Sequence, residues 1–243
     1  MKILQLNIWT GRIKGALLDF LRNSDFDVIC LQEAVWSNRD DIIENFSASI
    51  RQISEASGLS NISVSSNWQM RFLDDGLVDQ GNVILSREKV ISEKIESIYG
   101  EHTFIKSIKD FSDHEYTLQI VRLTSGLTVV NHHGYWLADP LGDKTTVEAM
   151  KKVASYIKKI NGPLVMCGDL NIVHASPAMR ELDFLRDLTE EYGVTNTLAG
   201  LKFNGKVACD HILVNDKITV KDFKVLDRVV SDHKGLVAEI DFE

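Results

Sequence analysis

Residues 164–171 read Leu164-Val165-Met166-Cys167-Gly168-Asp169-Leu170-Asn171. The first four are apolar at successive positions instead of alternating, which is typical of a strand that is covered on both faces. The run Val28-Ile29-Cys30-Leu31 repeats this pattern earlier in the chain. Together the two runs predict sheets packed between other layers, with polar groups placed where a buried strand ends.

Hydrophobic patterning predicts more strands than helices along the rest of the chain. The predicted strands are 2–9, 28–32, 61–65, 82–86, 116–124, 127–133, 164–167, 211–214, 220–226 and 235–240. The predicted helices are 13–22, 40–57, 145–159 and 183–191. Trp68 and Arg71 fall in a predicted loop. The mixture indicates an α/β protein.

The composition is that of an ordinary globular protein, since 44% of the 243 residues are hydrophobic and 26% are charged. The chain has no low-complexity tract, fixed-period repeat or Gly/Ser-rich linker, so we expect one domain over residues 1–243. No segment approaches the apolar length of a membrane span, and the first residues lack the pattern of a secretory signal. The three cysteines form no C-x-x-C pair, which is typical of core thiols in a reducing compartment. We therefore expect a cytoplasmic protein with no obligate protein partner.

The charge balance limits how the chain can bind nucleic acid. It has 27 basic and 35 acidic residues, for a net charge of −8. This argues against a protein that holds nucleic acid mainly through a broad basic surface. A hydrolase that releases its product needs only local positive charge, part of which bound metal ions can supply. A nucleic-acid enzyme therefore remains compatible with the composition.

Polar residues recur where the predicted strands end. They are Asn7, Gln32 with Glu33, Asn131 with His132 and His133, and Asp169 with Asn171. The C-terminal part adds Asp210 with His211, and Ser231 with Asp232 and His233, each before a strand. Any one group alone is explained as a turn former, a strand-end charge or a surface imidazole. Their repetition favours a shared site.

These residue types match the chemistry of phosphate-ester hydrolysis. The reaction needs a positioned water, neutralised phosphate oxygens and a stabilised leaving oxygen. A metal ion on Glu33 can stabilise the leaving group, Asp169 can orient or deprotonate water, and a protonated histidine can hold a nonbridging oxygen. Asn171 can fix the geometry. Oxygen ligands suit Mg2+ or Ca2+, Mn2+ shares the preferences of Mg2+, and no cysteine pair or His-x-x-x-His spacing favours zinc.

The adjacent histidines 132 and 133 point to opposite faces of their strand. Val129, Asn131 and His133 share one face, while Val130 and His132 share the other. This alternation leaves both histidines open as catalytic candidates. Three further histidines are assigned no chemistry: His102, His114 and His174.

Five motifs in this order resemble the endonuclease/exonuclease/phosphatase superfamily, whose members share L-N, L-Q-E, N-x-H, G-D-x-N and S-D-H. They stand here as Leu6-Asn7, Leu31-Gln32-Glu33, Asn131-His132-His133, Gly168-Asp169-Leu170-Asn171 and Ser231-Asp232-His233. Residues 81–87 also resemble a core strand of that family. The resemblance implies a four-layer αββα sandwich, with two mixed β-sheets face to face and helices outside.

The resemblance also implies roles for individual residues. Asn7, Glu33 and Asp232 match the residues that surround the metal ion. Asp169 and Asn171 match those that handle the attacking water. The implied cofactor is Mg2+, with Mn2+ as the alternative.

Two histidines gain roles in the same way. His133 matches the histidine of N-x-H. His233 matches the histidine that contacts the scissile phosphate, and Asp210 matches the aspartate that orients it. An aromatic residue often follows that aspartate in the family, whereas His211 stands there in this chain.

The superfamily includes nucleases, deadenylases, sphingomyelinases and inositol-phosphate phosphatases, so the resemblance implies an Mg2+-dependent hydrolase that cleaves phosphodiester bonds. Aromatic and basic residues near the motifs favour a nuclease acting on DNA or RNA, although core packing is their alternative role. These residues are Trp9, Arg12, Trp68, Arg71, Tyr135 and Trp136. The alternative functions are a phosphatase or phosphodiesterase of inositol phosphates or phospholipid headgroups on the same fold, and a binding module that has lost the chemistry.

Overall fold

A computed structural model describes residues 1–72, 76–105, 114–201 and 206–243. The strands are β1 (Lys2–Asn7), β2 (Val28–Ser37), β3 (Asn61–Phe72), β4 (Gly76–Ser86), β5 (Val90–Tyr99), β6 (Thr103–Ile105), β7 (Tyr116–Leu123), β8 (Thr128–His133), β9 (Leu164–Asp169), β10 (Arg186–Asp187), β11 (Asp210–Val214), β12 (Thr219–Val225) and β13 (Leu236–Asp241). The helices are α1 (Lys14–Arg22), α2 (Asp40–Ile43), α3 (Ile50–Ser57), α4 (Lys144–Ile157) and α5 (Leu188–Glu191), with 3₁₀ turns at Trp9–Gly11 and Pro177–Leu182.

The strands form two mixed sheets. The first has seven strands in the order β12-β13-β1-β2-β4-β3-β6, and the second has six in the order β10-β11-β9-β8-β7-β5. Parallel pairing occurs between β1 and β2, between β3 and β6, and between β8 and β9, while the other pairs are antiparallel. Continuous burial along β9 agrees with a strand covered on both faces.

Three apolar layers hold the sheets and helices together. Between the sheets, the first sheet contributes Ile3 and Val28, and the second contributes Val129 and Val165. Outside the first sheet, residues of α1 and α3 pack on the opposite face of β1, β2 and β4. Outside the second sheet, α4 and the 3₁₀ turn at Pro177–Leu182 cover β7, β8, β9 and β11. The four-layer αββα sandwich is therefore confirmed.

The residues that face the opposite sheet become more polar toward one edge. On β1 they run from Ile3 through Gln5 to Asn7, all of them buried. Every second side chain of a strand faces the other sheet. The strands that pair in register with one another therefore show the same change from apolar to polar residues. The corresponding residues are Val28, Cys30 and Gln32 on β2, Val129, Asn131 and His133 on β8, Val165, Cys167 and Asp169 on β9, and Val214, Ile212 and Asp210 on β11. One edge of the sandwich thus collects the polar side chains.

Two predicted helices were wrong in extent. Residues 40–57 form α2 and α3 with a break between them, because the Ala48 N–H donates to the Gly11 carbonyl and Ser49 caps the new helix at Gln52. Within residues 183–191, only Leu188–Glu191 is helical, since β10 pairs with β11 just before it.

Two strand predictions also need correction. Trp68 was expected in a loop, but β3 extends to Phe72 and the indole is buried. Strand β5 was missed, because it is an edge strand whose side chains are mostly exposed and so lacks an apolar run. All three cysteines are free and buried, as expected. None of the helices in the described ranges has the length and apolarity that a bilayer-spanning segment requires.

The close approach of β8 and β9 depends on a glycine. A Cβ atom built on Gly168 would lie 2.2 Å from the His132 carbonyl oxygen, whereas one on Gly15 in α1 would meet nothing within 4 Å. We expect Gly168→Ala to lower the free energy of unfolding by about 1–3 kcal/mol through overpacking. The control Gly15→Ala should raise it by about 0.5–1 kcal/mol, since alanine favours the helix. Urea denaturation followed by fluorescence measures both, and equal effects would contradict the steric argument.

Candidate active site

Strained backbone marks the polar edge of the sandwich. In the described ranges, four residues other than glycine have a positive φ: Trp9 at 47°, Thr10 at 54°, Glu33 at 54° and Asn171 at 56°. They lie directly after β1, within β2 and directly after β9. Non-glycine residues rarely adopt this conformation, and such strain clusters at functional sites. The observation points to the same edge as the sequence motifs.

Asn7 joins two carboxylates at the end of β1. Its Nδ2 donates to Glu33 Oε1 at 3.1 Å and to Asp169 Oδ2 at 3.0 Å. Its Oδ1 accepts the Trp9 N–H at 3.0 Å. The amide nitrogen therefore holds Glu33 and Asp169 on either side of one buried side chain.

Glu33 lies where β2 departs from regular pairing. The register of β2 against β4 shifts between Leu31 and Ala34, as in a β-bulge. Gln32 points into the inter-sheet space. The positive φ of Glu33 places the Glu33 side chain beside Asn7 as well. An uninterrupted strand would have sent residue 33 to the outer face.

Asp169 lies at the centre of a cluster of polar side chains that also contains Asn7, Glu33, His133 and His233. Its Oδ1 accepts the Asn171 N–H at 3.1 Å, and its Oδ2 accepts from Asn7. The same Oδ2 lies 3.6 Å from His233 Nε2 and 3.7 Å from His133 Nε2. Burial opposes ionisation, but His233, His133 and the two hydrogen bonds together lower the pKa of Asp169. Asp169 is thus an anion at neutral pH.

Asn171 fixes the loop that follows β9. Its Nδ2 donates to the Gly134 carbonyl at 2.9 Å, and the Gly134 N–H donates to the Asp169 carbonyl at 2.8 Å. The side chain of Asn171 therefore ties the loop after β9 to the loop after β8. This tie places Asn171 and His133 on either side of Asp169.

His233 and Asp210 form a buried pair. His233 Nδ1 lies 2.9 Å from Asp210 Oδ2, and Gln5 Nε2 donates to Asp210 Oδ1 at 3.1 Å. Burial disfavours the imidazolium, but Asp210 and Asp169 raise the pKa of His233 well above its ordinary value. His233 therefore carries a positive charge at neutral pH, with Nε2 directed toward Asp169.

The structure also separates the two adjacent histidines. His133 faces Asp169, as its place on the inner face of β8 requires. His132 is buried on the other face, where its Nδ1 contacts the Thr117 carbonyl at 2.9 Å and burial lowers its pKa to about 4. His133 is therefore the histidine that the cluster contains.

Asp232 lies in the segment before β13. It is buried and accepts a hydrogen bond from the Ser231 hydroxyl at 3.2 Å. Its backbone carbonyl accepts the Ala199 N–H at 2.8 Å. Because β13 pairs with β1 at Leu236 and Gln5, residue 232 lies beyond the same strand edge as Asn7.

Sequence reasoning missed the role of two glutamines. Gln5 Nε2 donates to Gln32 Oε1 at 2.9 Å, and Gln32 Nε2 donates to Asn131 Oδ1 at 2.7 Å. We call these three side chains the amide layer. It lies between the apolar core and the ionised groups and reaches Asp210 through Gln5. Period-two alternation on β1 and β2 was the signal that could have identified it.

The cluster also contains a thiol that sequence reasoning left in the core. Ligating atoms of Asp169, Cys209, Asp210 and His233 all lie within 4.8 Å of one another. Burial raises the pKa of the Cys209 thiol, and its Sγ donates to Asp210 Oδ2 at 3.7 Å. A protonated thiol is a poor metal ligand. The oxygens of Asn7, Glu33 and Asp232 are better suited to a hard divalent cation.

A group of aromatic rings lies beside the polar edge of the sandwich, in and around the loop after β8. The ring of Tyr135, directly after Gly134, lies 4.9 Å from Tyr99 and 5.4 Å from Tyr116 in edge-on contacts. Next to them, Trp136 is 57% exposed and Tyr99 is 42% exposed. We call Tyr99, Tyr116, Tyr135 and Trp136 the aromatic rim. On another side of the cluster, the Arg12 guanidinium lies 5.0 Å from the Trp9 ring.

Comparison with solved structures shows a shared fold. An endonuclease/exonuclease/phosphatase from Bacteroides vulgatus superposes with a TM-score of 0.72 at 15% identity, covering 100% of this chain and 98% of that chain. The human Nocturnin catalytic domain with bound sulfate anion gives 0.68 at 14% identity, covering 100% and 93%. A mannosyl-6-phosphatase from Bacteroides thetaiotaomicron gives 0.65 at 16% identity, covering 100% of both chains.

Comparison of sequences identifies the family. No curated protein matches the chain. The sequence model of the Endonuclease/Exonuclease/phosphatase family matches residues 4–233. That range includes each of the polar residues that meet at the edge of the sandwich. The chain belongs to the Endonuclease/Exonuclease/phosphatase family.

Proposed function

We propose that this protein is an Mg2+-dependent phosphodiesterase that cleaves DNA or RNA, with Mn2+ able to replace Mg2+. The observation that carries the proposal is the position of Asp169, an ionised carboxylate held by Asn7 and Asn171 between two imidazoles. Its Oδ2 is 3.6–3.7 Å from Nε2 of both rings, which lets a water accept a hydrogen bond from a ring N–H and donate one to the carboxylate. The three free, buried cysteines support a reducing compartment such as the cytoplasm.

Asn7, Glu33 and Asp232 would hold the divalent cation. The donor set fits a hard cation. The Asn7 amide nitrogen is occupied by its hydrogen bonds to Glu33 and Asp169, so the side-chain atoms left as ligands are all oxygens. When bound, the ion would neutralise phosphate oxygens and stabilise the leaving oxygen. Asn7 would place Glu33 for this role, since its Nδ2 fixes the carboxylate through Oε1.

The other residues would act on water and phosphate. Asp169 would orient a water and take its proton as the water oxygen forms a bond to phosphorus. His233 would donate a hydrogen bond from Nε2 to a nonbridging oxygen, with Asp210 holding its ring through Nδ1. The phosphorus–oxygen ester bond then breaks, the departing oxygen takes a proton from solvent, and Asp169 releases its proton to solvent. Asn171 would keep Asp169 and the loop after β8 in register.

The aromatic rim supports nucleic acid as the substrate. Exposed Trp136 lies in the loop after β8, exposed Tyr99 contacts Tyr135 of the same loop, and exposed rings can stack unpaired bases. The second candidate is a phosphatase of sugar or inositol phosphates or phospholipid headgroups. The net charge of −8 and the fold shared with a mannosyl-6-phosphatase support this alternative.

Asp169→Asn is the first test of the mechanism. Replacing the carboxylate by an amide removes the proton acceptor and the charge between the two histidines, so we expect kcat to fall about 10²- to 10⁴-fold. Asp143→Asn is the matched control, because Asp143 caps α4 and an asparagine can still accept the Thr146 N–H. Steady-state cleavage of a labelled oligonucleotide measures both. Full activity of Asp169→Asn would remove this residue from the mechanism.

Glu33→Gln tests the metal site. Losing one anionic ligand should raise the Mg2+ concentration for half-maximal activity by roughly 10- to 100-fold, and chelator should abolish wild-type activity. Glu148→Gln, on the exposed face of α4, should leave the metal dependence unchanged. The measurement is an Mg2+ titration of initial rates after chelator treatment. Chelator-resistant activity would contradict a divalent-cation mechanism.

Trp136→Ala tests the aromatic rim. We expect KM for a single-stranded oligonucleotide to rise about fivefold or more, since stacking contributes about 1–3 kcal/mol per base. Hydrolysis of a base-free sugar phosphodiester should stay unchanged. Phe184→Ala is the control, because Phe184 is an exposed ring that lies against Lys158, the residue that follows α4. An unchanged oligonucleotide KM, with turnover of inositol or sugar phosphates, would favour the second candidate.

A further inference from the structure

His211 is a fully buried histidine with an acceptor on each ring nitrogen. Its Nδ1 lies 2.9 Å from Asp187 Oδ2, and its Nε2 lies 2.9 Å from the Ile172 carbonyl oxygen. The Ile172 carbonyl oxygen can only accept a hydrogen bond, and so can the carboxylate of an ionised Asp187. A neutral imidazole carries a single N–H, so one acceptor would face a ring lone pair at 2.9 Å. Both contacts are satisfied together only when the ring is an imidazolium.

Neighbouring charges agree with this protonation state. Burial disfavours the cation, but the Asp187 carboxylate raises the pKa of His211 above its ordinary value. Burial likewise opposes ionisation of Asp187, and His211 and His174 lower its pKa. Asp187 is further held by the Thr189 N–H at the start of α5. His211 is thus half of a buried ion pair.

The two contacts connect β11 to the loop after β9. His211 follows Asp210, the partner of His233. Ile172 follows Asn171, whose positive φ and contact with Gly134 set the position of that loop. A donor on the Ile172 carbonyl therefore restrains the Ile172–Val173 peptide, one peptide beyond the one that joins Asn171 to Ile172. This restraint adds to the one that Gly134 places on the Asn171 side chain.

We propose that His211 is a positioning residue: its imidazolium links Asp187 to the Ile172 carbonyl and so holds Asn171 and Asp169 in place relative to Asp210 and His233. The proposal rests on the proposed function only for its catalytic readout. It also explains the departure from the family motif, because an aromatic residue after Asp210 lacks a second N–H donor and the charge. His211 itself is fully buried and takes no part in proton transfer to substrate.

His174 provides a matched control. Its Nδ1 lies 3.1 Å from the same Asp187 Oδ2, but its side chain is 43% exposed and has no contact with the Ile172 carbonyl in the described residues. His174→Phe therefore removes an imidazole from Asp187 and keeps the link to the loop. His211→Phe removes the link itself.

The kinetic test compares three variants. We expect His211→Phe and Asp187→Asn to lower kcat about 10- to 100-fold with little change in KM, as for loss of supporting hydrogen bonds in other active sites. The double variant should be no slower than either single one, because both remove one link. His174→Phe should keep wild-type kcat. Wild-type kcat in a folded His211→Phe or Asp187→Asn protein would overturn the proposal.

NMR separates this proposal from the proposed function. Both His211 ring nitrogens should carry protons from mildly acidic to mildly alkaline pH, and the Asn171 side-chain amide signals should shift in His211→Phe but not in His174→Phe. These readouts hold even if the wild-type protein cleaves no phosphodiester. If His211→Phe does not fold, Asp187→Asn supplies the Asn171 measurement. Unmoved Asn171 signals, or a neutral His211 ring, would overturn the proposal whatever the activity.

Discussion

The hydrogen-bonded amide layer between the two sheets is the interaction on which the rest of the site depends. Gln5, Gln32 and Asn131 come from three strands and both sheets, and their bonds of 2.7–2.9 Å fix how the sheets face each other. Buried amides are costly unless paired, so this register is strongly specified. A slip of one residue along β9 would also send Asp169 to the helix-covered face. The layer therefore fixes the register between the sheets and with it the position of Asp169.

Ionisable side chains lie on this layer and contact one another. Asp169 lies beside His133 and His233, His233 is held by Asp210, and Gln5 joins Asp210 to the amides. A buried charge is tolerated only when it is paired and hydrogen-bonded. Against the effect of burial, His233 and His133 lower the pKa of Asp169, and Asp210 and Asp169 raise the pKa of His233. This local balance is independent of the net charge of −8, which is carried by the whole chain.

The sequence alone predicted those features of the fold that depend on the residues of a single strand. The apolar run at residues 164–167 predicted a doubly covered strand, and the motifs at strand ends predicted which residues meet. The sequence could not predict how the strands pair. Only the register of β8 against β9 shows that His133 and not His132 faces Asp169. The exposed edge strand β5 lacked a hydrophobic signal. The role of His211 required two partners that lie 24 and 39 residues away in the chain.

Glu33 and Asn171 have a strained backbone because the regular alternation of side chains along a strand would not direct them toward Asn7 and Asp169. Alternation sends residue 33 away from the inter-sheet face, so a bulge with positive φ is needed to bring its carboxylate to Asn7. Asn171 likewise turns back over Asp169 only in the left-handed region. Each such residue costs about 1–3 kcal/mol and persists only where its surroundings over-determine it. The Gly134 contact and the His211 link provide that restraint at Asn171, and the Asn7 amide provides it at Glu33. The neighbours of Asn171 and Glu33 therefore maintain a geometry that the strands alone would not adopt.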